Sequence, residues 1–270
     1  AHVGAVMNSY NPVFGVHASE NGWMNIEVLR NMWGFDGILM SDWTSVYSSS
    51  GAANGGLDLE CPRGVYFTAE KLMPLVKAGV VSEETIDIKV YHILHTLNRF
   101  GLLDKDITDS SIPLDNSEND AFSRELAREG IVLLENKGGE LPYGKREKIL
   151  VLGPNAFKTP TGGGSGFVQP FHSVTVAEGL EGVWGKRLAK LPDSLLFAGV
   201  PADSVKAGVC SEAVLAKALK AADRVVYCAG FDSKEEGEGF DRPFALPKMQ
   251  RIMIQRIAAS HPHVTIVLNA

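Results

Sequence analysis

An aspartate stands where an apolar strand is predicted to end, in the sequence Ser41-Asp42-Trp43. Residues 35–40 before it are mainly apolar, which is typical of a strand buried on both faces. Parallel α/β sheets and barrels place their chemistry at the carboxyl ends of such strands. A carboxylate beside an indole ring suits sugar chemistry, because aromatic faces pack against the C–H faces of a sugar ring. From these residues alone, the alternative is an aspartate that caps the next helix or turn.

Three further polar clusters follow predicted strands. Residues 7–11, Met-Asn-Ser-Tyr-Asn, close the first strand, and their asparagines are also good turn formers. Residues 161–166, Thr-Gly-Gly-Gly-Ser-Gly, lack the G-K-[ST] ending of a P-loop and the spacing of a dinucleotide turn, so a flexible or close-approach loop is favoured over a phosphate site. Residues 235–242, Glu-Glu-Gly-Glu-Gly-Phe-Asp-Arg, crowd carboxylates together, which raises the pKa of one of them and suits a general acid.

The composition excludes several classes of protein. The 270 residues are 45% hydrophobic and 21% charged, as in globular domains, with a net charge of −6. No cluster of Lys and Arg predicts nucleic-acid binding, and no apolar run approaches the roughly 18 residues of a membrane helix. Three cysteines are too few for a disulfide framework. His92 and His95 lie three apart on a predicted helix without an evident third ligand, so we expect no metal and no cofactor.

The elements that position these clusters alternate between strand and helix. Predicted strands cover residues 3–7, 35–40, 149–153, 224–229 and 264–268, and predicted helices cover 23–32, 69–78, 83–101, 120–130, 212–222 and 249–260. A polar, turn-rich linker is expected over residues 104–117, and a loop is expected over residues 12–22. This alternation predicts an α/β fold with a mainly parallel sheet covered on both faces. Both ends of the chain have strand-like sequence, and we expect them to continue in a longer protein.

In this order, the motifs resemble glycoside hydrolase family 3, the family of β-glucosidases and β-xylosidases. The most specific match is Trp33-Gly34-Phe35-Asp36-Gly37 followed by Ser41-Asp42-Trp43. The other matching segments are residues 6–11, 55–62, 130–136, 152–156, 161–166 and 236–242.

The resemblance implies a two-domain fold, a (β/α)8 barrel joined to an α/β sandwich, with the active site between them. Residues 1–103 would be the C-terminal part of the barrel, residues 104–117 the linker, and residues 118–270 the sandwich. The preceding barrel strands would be supplied by an N-terminal segment of the same protein. We expect the 270 residues to be inactive and poorly stable without that segment, because an open barrel exposes its edge strands.

The resemblance also implies the roles of individual residues. Asp42 matches the catalytic nucleophile and Glu236 the acid/base, with Glu235 as the competing assignment. Met7, Tyr10 and Trp43 match residues that line the sugar subsite, and Ser165 matches a sandwich residue that reaches it.

The implied activity is that of a retaining, exo-acting β-glycosidase, most simply a β-glucosidase acting on small or oligomeric β-glycosides. The alternatives are a β-xylosidase or β-N-acetylglucosaminidase of the same family, or a non-catalytic fragment. A phosphate-binding domain built on residues 161–166 is a further alternative of a different class.

Overall fold

The computed structural model describes residues 2–233, 235 and 237–269. The chain forms two compact units, Ala1–Pro113 and Leu114–Ala270, and the division falls inside the segment predicted as a linker. Among the described residues, no helix combines the length and the apolar character needed to cross a membrane.

The first unit is built around two adjacent parallel strands. Strand β1 (Ala5–Met7) pairs with β4 (Ile38–Met40), so that Met7 lies beside Met40 at their carboxyl ends. Met40, the last residue of β4, also forms a parallel bridge to Leu59. A π-helix (Trp23–Met32) precedes β4, a 3-10 turn (Ala18–Glu20) precedes that helix, and three α-helices follow: α1 (Ser49–Asn54), α2 (Ala69–Lys77) and α3 (Glu83–Arg99). Leu39 of β4 is buried in the core against Val46, Ala52 and Leu57.

The segment predicted as a loop over residues 12–22 contains a hairpin, so that prediction was wrong in part. Strand β2 (Pro12–Val13) pairs antiparallel with β3 (Val16–His17). The two residues between them have positive φ angles, 51° at Phe14 and 81° at Gly15, as the central positions of a type I′ turn require. Phenylalanine in place of the usual Asn or Asp hides this turn from the sequence pattern.

A buried carboxylate holds strand β4 in place. Asp58 Oδ2 accepts hydrogen bonds from the backbone N–H of Leu39 at 2.7 Å and from Arg30 at 2.5 Å. The Asp58 N–H in turn donates to the Leu39 carbonyl at 2.9 Å, and Asp58 Oδ1 contacts His92 Nδ1 of α3 at 2.8 Å. One side chain therefore ties the strand to both the π-helix and α3.

The second unit contains a sheet of parallel strands covered by helices. Its strands are β5 (Ile149–Leu152), β6 (Leu188–Leu191), β7 (Arg224–Gly230) and β8 (Val264–Asn269), in the spatial order β6-β5-β7-β8. Its helices are α4 (Ser117–Gly130), α5 (Val176–Trp184), α6 (Asp193–Leu196), α7 (Ala202–Lys206), α8 (Glu212–Lys220) and α9 (Lys248–Ser260). Short 3-10 turns lie at Lys137–Gly139, Gly164–Gly166 and Gly185–Arg187.

The core lies on both faces of this sheet. On β5, Leu150 packs into one cluster with residues of β7, α8 and α9, while Ile149 and Val151 pack into the other with Ala177 of α5. Burial on both faces explains the continuous apolar runs of β5 and β7 and confirms the predicted mainly parallel sheet. Strand β6 was not predicted, because its sequence, Leu-Ala-Lys-Leu, is short and half exposed at the sheet edge.

Helix α4 begins earlier than predicted. It starts at Ser117, inside the predicted linker, because the Asn116 side chain caps it by accepting a hydrogen bond from the Asn119 N–H at 2.8 Å. A prediction from apolar spacing places the start at residue 120, since the first turn is entirely polar.

The Asp58 network predicts a large stability effect. In Asp58→Asn, Arg30 keeps its place but loses its charge partner, and we expect the opening free energy of β4 to fall by about 3 kcal/mol or more. Hydrogen exchange of residues 38–40 measures this. The matched control is Asp36→Asn, which removes an exposed partner of Arg99 and should cost far less. Equal protection of residues 38–40 against hydrogen exchange in the two variants would contradict the role of Asp58 in holding β4.

A buried lysine beside this network predicts a dependence on pH. Burial lowers the pKa of Lys89 to about 8 from its ordinary value of 10.5, while the charge of Asp58 opposes that shift. Between these two values the unfolded chain holds a proton that the folded chain has released, so the unfolding free energy rises with pH in that window. Below about pH 8 both states are protonated, and the contribution of Lys89 no longer changes.

We therefore expect exchange protection in the first unit to increase from about pH 8 to 10 in the parent chain and less steeply in Lys89→Met. The exposed Lys77 of α2 gives the control variant, Lys77→Met, which should keep the parent slope. Identical slopes in all three proteins would refute the role of Lys89.

Candidate active site

Asp42 lies at the carboxyl end of β4, on a turn that is tied down on both sides. Ser41 is buried, its N–H donates to the Leu59 carbonyl at 2.9 Å, and its hydroxyl accepts from the Cys61 N–H at 2.9 Å. Behind Asp42, the Ser45 hydroxyl donates to the Asp42 carbonyl at 3.1 Å. The backbone around Asp42 is thus fixed, while its carboxylate stays accessible.

The Asp42 carboxylate is held through one oxygen. Oδ1 accepts the Trp43 backbone N–H at 2.6 Å and the Tyr10 hydroxyl at 3.1 Å. Among the described residues, no hydrogen bond uses Oδ2. Within the described part of the chain, one oxygen of the carboxylate is therefore oriented by two donors and the other receives none.

Three predicted sugar-site residues surround the ends of β1 and β4. Met7 is the last residue of β1, Tyr10 lies three residues later, and Trp43 directly follows Asp42. All three side chains are at least half exposed. The structure brings Tyr10 and Trp43 into contact with Asp42, and places Met7 on the neighbouring strand end.

In the second unit, Ser165 of the Gly-rich loop (residues 161–166) contacts Glu238 of the acidic loop (residues 235–242). The N–H of Ser165 donates to Glu238 Oε2 at 3.0 Å, and its hydroxyl donates to Glu238 Oε1 at 2.8 Å. These hydrogen bonds, the backbone one first, lower the pKa of Glu238. Gly164 has a φ of 56°, which favours glycine, and a Cβ there would lie 2.5 Å from Glu238 Oε2 and displace that carboxylate.

This pairing was not predicted from the sequence. The family resemblance places Ser165 at the sugar subsite, and the crowded carboxylates of residues 235–242 do not single out Glu238. The motif names both residues, but a contact between side chains 73 positions apart has no local signal.

Glu235 lies in a different environment. Its carboxylate accepts the Asp232 N–H at 3.0 Å, and Asp232 also accepts from Lys158 Nζ at 2.7 Å. Burial and the nearby Asp232 carboxylate raise the pKa of Glu235, while Lys158 opposes the shift. Glu235 is therefore the described carboxylate of this loop whose pKa moves in the direction a general acid needs.

Lys158, Asp232 and Glu235 line a pocket of about 370 Å³ at the carboxyl ends of β5 and β7. The chain leaves β5 toward β6 on one side and reaches β7 on the other, so the pocket lies at the topological switch point of the sheet. Its further polar lining consists of Asn155, Lys206, Lys248 and Gln250.

Glu236, the predicted acid/base, lies outside the described residues. Its choice over Glu235 therefore stays a prediction. In the described part of the chain, no group of three or more His, Cys, Asp and Glu side chains is placed to hold a metal ion. His92 and His95 instead contact two different carboxylates, Asp58 and Asp36.

Comparison of the sequence with known proteins finds similarity to β-glucosidases. A β-glucosidase of Rhizobium radiobacter is 42% identical over 183 residues, which cover 67% of this chain and 22% of that protein. The probable β-glucosidase J of Emericella nidulans is 38% identical over 181 residues, 67% of this chain and 21% of that protein. The chain thus spans about a fifth of the length of these relatives.

Solved structures show the same similarity. The family 3 β-glucosidase of Bifidobacterium adolescentis matches with a TM-score of 0.79 at 27% identity, over 98% of this chain and 38% of that chain. The β-glucosidase of Listeria innocua, crystallised with glucose, matches with a TM-score of 0.81 at 26% identity, over 97% of this chain and 37% of that chain. These matches confirm the predicted fold class, part of a (β/α)8 barrel followed by an α/β sandwich.

Family models match both units. Residues 1–96 match the glycosyl hydrolase family 3 N-terminal domain. Residues 131–270, more than half of the chain, match the family 3 C-terminal domain. The chain therefore belongs to glycosyl hydrolase family 3.

Proposed function

We propose that this chain carries the catalytic carboxylates of a retaining, exo-acting β-glucosidase. The observation that supports this most directly is the Asp42 carboxylate, held through Oδ1 by Tyr10 and the Trp43 N–H. The β-glucosidase relatives favour glucose as the terminal sugar, and the Listeria innocua enzyme was crystallised with glucose.

In the proposed reaction, Asp42 Oδ2 attacks the anomeric carbon as the glycosidic C–O bond breaks. The acid/base donates its proton to the departing oxygen, which leaves as an alcohol. The same group then removes a proton from water, whose oxygen attacks the anomeric carbon and displaces Asp42 as a carboxylate. Exposed Trp43 offers a face on which the sugar ring packs.

The acid/base comes from the acidic loop in this proposal. The family resemblance assigns it to Glu236, with Glu235 as the competing assignment. Glu235 has the raised pKa that the role requires, but its carboxylate is bound at Asp232 in the pocket. For an acid/base, position relative to the substrate matters before pKa.

Domain organisation follows the same proposal. Residues 1–103 would form the end of the barrel, residues 104–117 the linker and residues 118–270 the sandwich. The remaining barrel strands would come from an N-terminal segment of the same protein. The substrate would be a small or oligomeric β-glucoside.

The nucleophile is tested by covalent trapping in the native protein. A 2-deoxy-2-fluoro-β-glucoside with a good leaving group should label the peptide that contains Asp42, found by mass spectrometry. Asp42→Asn should lose labelling and lower turnover by at least about 10³-fold, because the amide cannot form the glycosyl ester. Labelling of another residue, or a non-catalytic protein in which nothing is labelled, would refute the assignment.

The acid/base is tested with three matched variants, Glu235→Gln, Glu236→Gln and Glu238→Gln. Loss of the acid/base should slow glucosides with poor leaving groups far more than dinitrophenyl β-glucoside, which needs little protonation. Added azide should then restore turnover by replacing the activated water.

We expect this pattern in Glu236→Gln and not in Glu235→Gln or Glu238→Gln. The pattern in Glu235→Gln would place the acid/base at Glu235, in the pocket, and overturn our argument from its position.

A further inference from the structure

The carbonyl of Tyr10 accepts two hydrogen bonds from side chains that the proposed reaction does not use. His17 Nδ1 lies 3.2 Å from the Tyr10 carbonyl oxygen, and the Tyr47 hydroxyl donates to the same oxygen at 3.3 Å. A carbonyl oxygen has two lone pairs, so it can accept both. Because a carbonyl cannot donate, this contact requires the hydrogen of His17 to be on Nδ1.

The two donors also support each other. The rings of His17 and Tyr47 are stacked, with centroids 3.6 Å apart and planes at 21°. His17 closes the hairpin, where it pairs with Pro12, and Tyr47 follows the turn that carries Asp42. The pair therefore connects the hairpin and the Asp42 turn at a single peptide group.

That peptide group belongs to the residue that holds Asp42. The Tyr10 hydroxyl donates to Asp42 Oδ1 at 3.1 Å, while the Tyr10 carbonyl is fixed by His17 and Tyr47. Tyr10 is half exposed. The two hydrogen bonds to its carbonyl restrain the peptide group from which its side chain extends.

We propose that His17 is a positioning residue for the nucleophile: with Tyr47, it fixes the Tyr10 peptide so that the Tyr10 hydroxyl holds Asp42. The role of Asp42 in this statement rests on the proposed function. The contacts themselves do not, and they are tested first.

The experiment uses the native protein labelled with 3-fluorotyrosine and observed by 19F NMR. Tyr10→Phe identifies the Tyr10 signal by its loss. Asp42→Asn should move that signal, because it replaces the charged acceptor of the Tyr10 hydroxyl with a neutral one. An unmoved signal would overturn the proposal at its first step.

Two substitutions then separate the hydrogen bond of His17 from its stacking. His17→Phe keeps a ring for Tyr47 and removes the donor, and we expect it to move or broaden the Tyr10 signal. His17→Asn removes the ring and keeps an N–H near the position of Nδ1, and we expect it to restore the parent signal. The control, His172→Phe, changes an exposed histidine of the second unit and should leave Tyr10 unchanged.

A parent-like Tyr10 signal in His17→Phe would overturn the proposal. So would a change in every tyrosine signal in both variants, because His17 would then support the fold and not Tyr10. Covalent labelling supplies the link to catalysis: His17→Phe should slow labelling of Asp42 by roughly tenfold, with rescue in His17→Asn. If the native protein is not labelled while the NMR results hold, the proposed function fails and the positioning contacts stand.

Discussion

The candidate nucleophile depends on a buried ion pair some distance along the chain from it. Asp58 bonds both backbone groups of Leu39, the central residue of β4, and its carboxylate is neutralised by Arg30. A buried carboxylate without such partners would lose more by desolvation than it gains. Because Leu39 is locked between Asp58 and the core, the residues that follow it leave the strand at one defined point. Asp42 is therefore presented by the strand end, and not by a free loop.

The carboxylates of the proposed reaction are controlled in different ways, Asp42 by orientation and those of the acidic loop through their pKa values. Asp42 is oriented by donors to one oxygen, which suits a group that must stay charged and attack. On the acidic loop, the pKa values of two neighbouring carboxylates shift in opposite directions. Burial raises the pKa of Glu235, and the hydrogen bonds from Ser165 lower the pKa of Glu238. Crowded charge by itself therefore does not select the acid, since the partners of each carboxylate decide its pKa.

Much of this organisation was predictable from the sequence, because it rests on local patterns. The apolar runs of β5 and β7 predict strands buried on both faces. The predicted helix over residues 83–101 begins at the observed start of α3, where the Ser82 side chain accepts the Thr85 N–H. The ordered motifs predicted the family and the fold class. The hairpin at Phe14 and the edge strand β6 escaped, because one has an atypical turn residue and the other is short and half exposed.

The contacts that define the site could not be predicted from the sequence, for a different reason. His17 contacts the Tyr10 carbonyl through the hairpin, and Glu238 reaches Ser165 across two loops, so neither contact leaves a periodic signal in the sequence. His17 also contacts a backbone carbonyl, which every residue has, and no residue type at position 10 would have revealed it. Reactive side chains can be recognised in a sequence by their residue type. The side chains that orient them are determined by which backbone segments lie together in the fold. The restraint on Asp42 is therefore a property of the fold around Tyr10, and it becomes visible only when the hairpin and the Asp42 turn are seen together.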